Sequence, residues 1–134
     1  MEGVWVRPLD RKEDARGWLL KFLMRPDLTG REAFGEIYII SALPGVARAN
    51  HYHRRTTEWF CLLRGEAKLA LCSVENGDRL ELALRAEAPR VVQVSPGIAH
   101  AVQNVGEGPM ELLAYADEPY NPQDPDAVPF RLID

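Results

Sequence analysis

The chain has 134 residues and a mass of 15.1 kDa, enough for one hydrophobic core and too little for two. Its composition, 46% hydrophobic and 27% charged, argues against disorder. A net charge of -4 disfavours nucleic-acid binding, and no apolar run approaches the roughly 20 residues that span a bilayer. Without a visible secretory signal, we expect a cytoplasmic protein in which Cys61 and Cys72 are reduced.

Short runs of alternating or β-branched residues, separated by glycine and proline, predict strands along most of the chain. In chain order, the predicted strands are 17–24, 34–43, 47–53, 58–63, 67–73, 79–84, 90–95, 100–104 and 110–116. Only residues 10–14 have helical character, for one or two turns. Many short strands with regular turns predict an all-β protein, an antiparallel sandwich or barrel with little or no helix.

No internal linker or long repeat interrupts this pattern, so we expect a single domain over residues 1–134. Within it, residues 1–32 would form N-terminal strands or an arm, and residues 33–117 the barrel core. Residues 118–134 contain four prolines and several acids. Because proline restricts the backbone and removes a hydrogen-bond donor, this tail is expected to lie extended over the barrel.

The histidines are placed in a way that favours metal binding. His51 and His53 are two apart in a predicted strand, so both point to the same face. A hairpin through the four-residue turn 54–57 would return Glu58 beside them, and His100 begins a distant strand. Three imidazoles and one carboxylate suit zinc, iron, manganese, nickel or copper.

Every histidine falls on a ligand position of a known two-part pattern. The first part is met by Gly45, His51, His53, Glu58 and Gly65. The second part is met by Gly97, His100 and Asn104, with Ser95 in a position where proline is usual. The chain therefore resembles the cupin family. The resemblance implies a jelly-roll barrel that holds a divalent metal, zinc first, with iron, manganese or nickel as alternatives.

Longer stretches narrow the resemblance within that family. Residues 48–53, 91–105 and 116–126 are similar to the C-terminal cupin epimerase domain of bifunctional capsular-polysaccharide enzymes. Residues 14–18 resemble the opening of the dTDP-4-keto-6-deoxy sugar 3,5-epimerases. The resemblance implies a metal-dependent epimerase or isomerase of a nucleotide-linked 4-keto-6-deoxy sugar in surface polysaccharide biosynthesis. It would remove an α-proton and stabilise the enolate with the cation.

The same resemblance suggests partners and substrate contacts. Arg48 and Arg16 would bind the nucleotide diphosphate, because the guanidinium fork matches phosphate oxygens. The chain contains no glycine-rich dinucleotide-binding motif, so it does not carry NAD(P)H chemistry itself. A separate reductase is one partner that the resemblance suggests. A homodimer is expected by resemblance, and neither a membrane nor a nucleic acid is expected as a partner.

The general base is the least determined part of the site. His51 occupies the position of the base in metal-free relatives, but an imidazole bound to a metal cannot also take a proton. Either another base acts or the site works without metal. The alternatives for the base are Tyr38, Tyr115, Glu36 and Asp117. The catalytic tyrosine of the rhamnose-pathway epimerases has no clear counterpart, and either Tyr115 or Tyr120 would take its place.

Two other classes of function compete with the epimerase. A different metal cupin enzyme, such as a dioxygenase or a sugar-phosphate isomerase, would use the same ligands. A non-catalytic cupin would bind a sugar or another small molecule without reaction. Oxygen uptake would indicate the dioxygenase, and deuterium incorporation into the sugar would indicate the epimerase.

Overall fold

The structure, a computed structural model, describes residues 1–31 and 33–134 and confirms the all-β architecture. Its strands are β1 (Val4–Pro8), β2 (Lys12–Asp14), β3 (Gly17–Leu19), β4 (Glu36–Ala42), β5 (Ala47–Tyr52), β6 (Glu58–Arg64), β7 (Glu66–Ser73), β8 (Arg79–Arg85), β9 (Arg90–Val94), β10 (Ile98–Asn104), β11 (Met110–Ala116) and β12 (Val128–Pro129). Within the described ranges, a single 3-10 turn at Arg25–Leu28 is the only helical element. No helix there is long and apolar enough to cross a membrane.

Ten of these strands form two five-stranded sheets. Sheet I has the order β1-β9-β6-β11-β4, and sheet II has the order β12-β5-β10-β7-β8. Every pairing in them is antiparallel. Consecutive strands therefore often lie in different sheets, which is the arrangement of a jelly roll.

Eight of the nine predicted strands appear within two residues of their predicted bounds. The first one is shorter than predicted, since only Gly17–Leu19 is a strand. It pairs with Lys12–Asp14 as a separate hairpin, so the predicted helical turn at 10–14 is wrong. The residues of β2 are all exposed. Without an apolar stripe to bury, nothing stabilises a helix there, and the strand pairing satisfies the backbone instead.

The main core lies between the two sheets. Along β6, Phe60 and Leu62 point into it, while Trp59 and Cys61 point to the opposite side of sheet I. Sheet II faces them with buried aliphatic residues such as Leu69 and Leu71. Alternation along each strand thus gives the barrel an interior face and an outer face.

The N-terminal arm covers part of the outer face of sheet I. Trp59, Val91 and Tyr115 are buried there. The residues that pack on them come from the arm: Trp5, Leu9, Phe22, Leu23 and Leu28. On β11, Tyr115 consequently faces the arm, while Leu112 and Ala114 face the barrel core.

A bulge interrupts β5 just before the histidines. His51 lies opposite His100, but Ala49 lies opposite Ala101, so the register shifts by one residue. Ala49 and Asn50 have positive φ angles of 73° and 57°. Two residues of β5 thus take the place of one, as in other bulges. Arg48 is three residues from His51, yet both line the same cavity.

The C-terminal tail lies along the β5 edge of sheet II. Val128–Pro129 pairs with the end of β5. Asn50 holds the segment beyond it: its carboxamide oxygen accepts hydrogen bonds from the amides of Leu132 and Ile133, and its NH2 group donates to the Ile133 carbonyl. Asn50 is therefore a tail anchor rather than a residue that points to the active site.

Among the described glycines, Gly35 has the closest backbone neighbour, where the chain before β4 passes the end of β11. A Cβ atom at this position would lie 1.9 Å from the carbonyl oxygen of Ala116. We expect Gly35→Ala to lower the free energy of unfolding by about 2 kcal/mol or more, because rigid backbone would have to move. Chemical denaturation measures this, and Gly108→Ala, which meets nothing within 4 Å, is the matched control. Equal stability of the two variants would contradict the prediction.

Candidate functional site

Four potential metal ligands converge between the sheets. One ligand atom from each of His51, His53, Glu58 and His100 lies within 4.8 Å of the others. His51 and His100 are neighbours on adjacent strands of sheet II, and His53 follows the end of β5. The structure therefore brings together all four residues that the sequence pattern singled out as a metal set.

Glu58 reaches this cluster by a different route from the predicted one. A hairpin through residues 54–57 was expected to return it beside the histidines on the same sheet. In the structure β5 belongs to sheet II and β6 to sheet I, so the connection crosses between the sheets. Glu58 consequently faces the imidazoles from the opposite wall, which places the carboxylate and the three rings around a common centre.

Backbone carbonyls orient two of the imidazoles. His53 Nδ1 contacts the carbonyl oxygen of Asp126, and His100 Nδ1 lies 3.1 Å from the carbonyl oxygen of Ile98. A carbonyl only accepts hydrogen bonds, so each Nδ1 must carry the proton. In the neutral ring Nε2 then has a free lone pair, and both Nε2 atoms face Glu58. Metal-binding histidines are commonly fixed by such a carbonyl on their far nitrogen.

The centre of the cluster holds polar atoms that no hydrogen bond satisfies. The Nε2 atoms of His53 and His100 lie 2.8 Å and 3.2 Å from Glu58 Oε1. All three atoms are buried, and no hydrogen bond of acceptable geometry joins them to a described residue. Leaving buried polar groups unpaired costs free energy. Either a proton or a cation at this point removes that cost.

The electrostatics of the site favour a charged Glu58. Burial raises its pKa, but the facing His100 and His53 outweigh burial and hold the pKa below the ordinary range. For His53, burial lowers the pKa, while the Glu58 carboxylate outweighs it and gives a net increase. Burial first, and then the neighbouring His100 and His53, lower the pKa of His51 to about 4. His51 is therefore neutral at neutral pH.

Three imidazole nitrogens and one carboxylate oxygen fit a divalent metal. His100 and Glu58 are each only 2% exposed, so solvent does not compensate their polarity. Borderline metals such as zinc prefer this mixture of nitrogen and oxygen donors, and hard cations such as calcium do not. The donor set does not by itself choose among zinc, iron, manganese and nickel.

A cavity of about 810 Å³ leads from the cluster to the surface. Its lining includes Arg48 and Tyr38. The Tyr38 hydroxyl donates a hydrogen bond to Glu58 Oε2. Burial and the neighbouring Glu58 charge raise the pKa of Tyr38 well above its ordinary value. Tyr38 is thus a neutral donor that holds the second oxygen of Glu58.

The structure does not bring Tyr115 or Arg16 to this cavity. Tyr115 is on the outer face of sheet I, where it packs on Trp59 and its hydroxyl accepts a hydrogen bond from the Gly35 amide. Arg16 lies in the turn between β2 and β3, its side chain is 90% exposed, and it pairs with Asp14 at 2.6 Å. Strand parity excludes Tyr115 from the barrel interior, and the hairpin directs Arg16 away from the site in its own chain.

The two acidic candidates for the base have different surroundings. Asp117 accepts a hydrogen bond from the Thr57 amide and pairs with Arg31 at 3.0 Å. Glu36 also lines the cavity and shares its strand face with Tyr38. Asp117 is therefore engaged in a structural contact, whereas the Glu36 carboxylate has no hydrogen bond or ion pair with the other described residues.

Several lining residues were not predicted from the sequence. The tail contributes Asp126, whose carbonyl contacts His53 across 73 positions of sequence. Arg55 lines the wall beside it. Phe34 and Tyr120, which are 70% and 66% exposed, are aromatic residues in the outer part of the lining. No periodicity or spacing signals these contacts, because the chain reaches the cavity there through irregular segments.

Comparison with known proteins is consistent with this site. The family model described as the polysaccharide biosynthesis C-terminal domain matches residues 12–128. The chain belongs to this family. This family member therefore contains a compact His-His-Glu-His cluster. The match also confirms the resemblance to cupin domains of capsular-polysaccharide enzymes.

Two curated relatives share sequence with most of this chain. A UDP-2-acetamido-2,6-beta-L-arabino-hexul-4-ose reductase of Pseudomonas aeruginosa is 30% identical over 84% of this chain, which spans 29% of that protein. The spore coat polysaccharide biosynthesis protein SpsL of Bacillus subtilis is 27% identical over 94% of this chain and 86% of its own length. The chain thus covers less than a third of the reductase and most of SpsL.

Solved structures share the fold. A dTDP sugar isomerase from Desulfovibrio desulfuricans aligns with a TM-score of 0.84 and 21% identity, over 97% of this chain and 85% of its own. The capsular polysaccharide assembling protein CapF from Staphylococcus aureus aligns with a TM-score of 0.72 and 23% identity, over 93% of this chain and 35% of its own. These alignments confirm the jelly-roll fold.

We expect His53→Ala to lower the metal content of the purified protein well below one ion per chain, because it removes one donor and one wall of the cluster. Elemental analysis after reconstitution with zinc measures this. Arg54→Ala is the matched control, since Arg54 is the exposed neighbour of His53. Unchanged stoichiometry in the His53 variant would remove His53 from the ligand set.

Proposed function

We propose that the chain is a metal-dependent epimerase or isomerase of a nucleotide-linked 4-keto-6-deoxy sugar in polysaccharide biosynthesis. The observation that carries the proposal is the compact cluster of half-buried His51 and His53 with buried Glu58 and His100, beside a cavity of about 810 Å³. A cavity of this size accommodates a substrate much larger than a simple anion. The hexul-4-ose reductase and the sugar isomerase among the relatives support a keto-sugar substrate.

Zinc is the metal we propose for the cluster. It accepts three imidazoles and one carboxylate, and it has no redox chemistry that would damage a keto sugar. When bound, such a cation supplies Lewis-acid polarisation of a carbonyl oxygen. The chain's own contribution is to hold the imidazoles in one tautomer through the carbonyls of Asp126 and Ile98 and to hold Glu58 through Tyr38.

Glu36 is the base that we infer for removal of the α-proton. The other acids in the cavity lining are engaged: Asp117 with Arg31, Glu118 and Asp124 with Arg55, and Asp126 with the loop before β6. Glu36 is the lining carboxylate that no described residue pairs. Ligation would occupy the lone pair of His51, which excludes it as the base in the metal-loaded protein.

Arg48 is the residue that we infer to bind the nucleotide diphosphate. It lines the cavity, and its guanidinium donates one hydrogen bond, 3.1 Å long, to the Ser41 carbonyl. The remaining donors of the planar fork are available for phosphate oxygens, which they match in spacing. The bulge at Ala49 and Asn50 keeps Arg48 on the same side as His51, so one strand carries both functions.

The first experiment combines metal analysis with isotope exchange. The purified protein is analysed for metal and incubated in D2O with UDP- and dTDP-linked 4-keto-6-deoxy sugars, and deuterium beside the ketone is followed by NMR and mass spectrometry. Metal-dependent deuterium incorporation supports the proposal. Metal without exchange contradicts it, and oxygen consumption under the same conditions would indicate a dioxygenase instead.

Glu36→Gln is expected to lower the rate of deuterium exchange by about 100-fold or more, because a positioned base contributes roughly that factor and an amide cannot take the proton. Metal content should stay unchanged, since Glu36 is not in the cluster. Glu81→Gln, an exposed acid on β8, is the matched control. An exchange rate equal to wild type in Glu36→Gln would exclude Glu36 as the base.

Arg48→Ala is expected to weaken binding of the sugar nucleotide by about tenfold or more, the loss that follows from removing charged hydrogen bonds worth roughly 1.5–3 kcal/mol. Calorimetry with the nucleotide diphosphate measures it. Arg64→Ala serves as the control, because Arg64 is exposed and pairs with Glu111. The diphosphate role is wrong if Arg48→Ala and Arg64→Ala bind with the same affinity.

A further inference from the structure

The carbonyl that orients His53 belongs to the C-terminal tail. His53 Nδ1 contacts the backbone oxygen of Asp126, which is two residues before β12. The tail is thus in direct contact with a member of the metal cluster, although the sequence pattern places all the ligands between residues 51 and 100. What holds this carbonyl in place decides which tautomer His53 adopts.

The side chain of Asp126 fixes its own backbone against the loop before β6. Its Oδ1 accepts a hydrogen bond from the Arg54 amide at 2.9 Å. Its Oδ2 accepts from the amides of Arg55 and Thr56 and from the Thr56 hydroxyl, at 2.8, 2.9 and 2.8 Å. A single carboxylate thereby satisfies three consecutive amides, which is a strong and directional arrangement.

The loop that Asp126 holds is the crossing between the two sheets. His53 precedes the three amides, and Glu58 follows them at the start of β6. Asp126 therefore contacts the backbone that separates an imidazole ligand from the carboxylate ligand of the opposite wall. A change in the position of Asp126 moves both the partner of His53 Nδ1 and the loop that sets the distance between His53 and Glu58.

Other contacts of the tail near the cavity are weaker. Asp124 pairs with Arg55 at 3.2 Å, but both side chains are about half exposed or more, and such surface pairs contribute little. Strand β12 has only two residues. Asn50 holds the segment after it. Asp126 is thus the principal attachment of the tail where it borders the cavity.

We propose that Asp126 is a positioning residue of the metal site. Its carboxylate holds its backbone carbonyl in the position that fixes the His53 tautomer. This contact couples metal binding to ordering of the C-terminal tail. The inference rests on the metal site of the proposed function and is independent of the reaction. Because coupling is reciprocal, a bound cation orders the tail as much as the tail favours the cation. The cavity lining includes Asp124, Asp126 and Ala127. Ordering of the tail on metal binding would therefore also order this part of the cavity wall.

The test uses the full chain and the variant Asp126→Ala. We expect zinc affinity, measured by competition with a chromophoric chelator, to fall by about 10–100-fold, the usual effect of losing a group that orients a metal-bound histidine. In the metal-free protein, long-range ¹H–¹⁵N NMR of His53 should change from one Nδ1–H tautomer to a mixture. Zinc should slow hydrogen exchange of amides 124–133 in the wild type and do so much less in the variant.

Two further variants separate positioning from general stability. Asp124→Ala removes a neighbouring exposed carboxylate of the same tail and should match the wild type in all three measurements. Asp126→Asn keeps the shape and one oxygen acceptor, so it should give an intermediate zinc affinity. Asp126→Asn also provides the test if Asp126→Ala does not fold.

The outcomes distinguish this inference from the proposed reaction. Weaker zinc binding and a mixed tautomer in the Asp126 variants, together with no deuterium exchange in the wild type, support the positioning role and overturn the epimerase. Wild-type zinc affinity and an unchanged tautomer in Asp126→Ala overturn the positioning role, whatever the activity. A wild-type chain that binds no divalent cation overturns both.

Discussion

A carboxylate enclosed by three imidazoles between two sheets is the constraint on which the rest of the site depends. Glu58 is almost fully buried, and an isolated charge there would be too costly to keep without compensation. Sheet II places three imidazoles against this carboxylate, His51 and His100 on adjacent strands and His53 at the end of β5. A proton or a cation held among these groups supplies the compensation, so the two halves of the barrel meet at a polar centre as well as through apolar packing.

The surrounding structure keeps these groups in one arrangement. Tyr38 holds one oxygen of Glu58, and backbone carbonyls at residues 98 and 126 hold the far nitrogens of His100 and His53. The N-terminal arm covers the part of the outer face of sheet I around Trp59 and Tyr115. The three imidazoles and the Glu58 carboxylate lie together beside the cavity, while the main core between the sheets is apolar.

The sequence allowed prediction of the strands and the ligands because both depend on local order. Alternation placed β4 to β11 within two residues, and the spacing of His51, His53, Glu58 and His100 identified the cluster. Contacts that depend on which sheet each strand joins could not be predicted from local sequence. A four-residue connection resembles a hairpin whether or not the strands share a sheet, so the crossing before Glu58 was misread. The sequence does not reveal which face Tyr115 takes, because that depends on the parity of β11 relative to the core. It does not reveal Asp126 as a contact of the site either, because the partners of Asp126 lie 70 to 73 positions away.

The bulge in β5 separates two kinds of chemistry carried by one strand. Residues after it present imidazoles, and Arg48 before it presents a guanidinium to the same cavity. Ala49 occupies a left-handed conformation there, which costs an L-residue roughly 1–2 kcal/mol. A regular strand of the same length, without the bulge, would release that energy and turn Arg48 to the opposite face while the imidazoles kept their places. Substrate contacts made by residues before the bulge can therefore change, by evolution or by engineering, without moving the imidazoles that follow it.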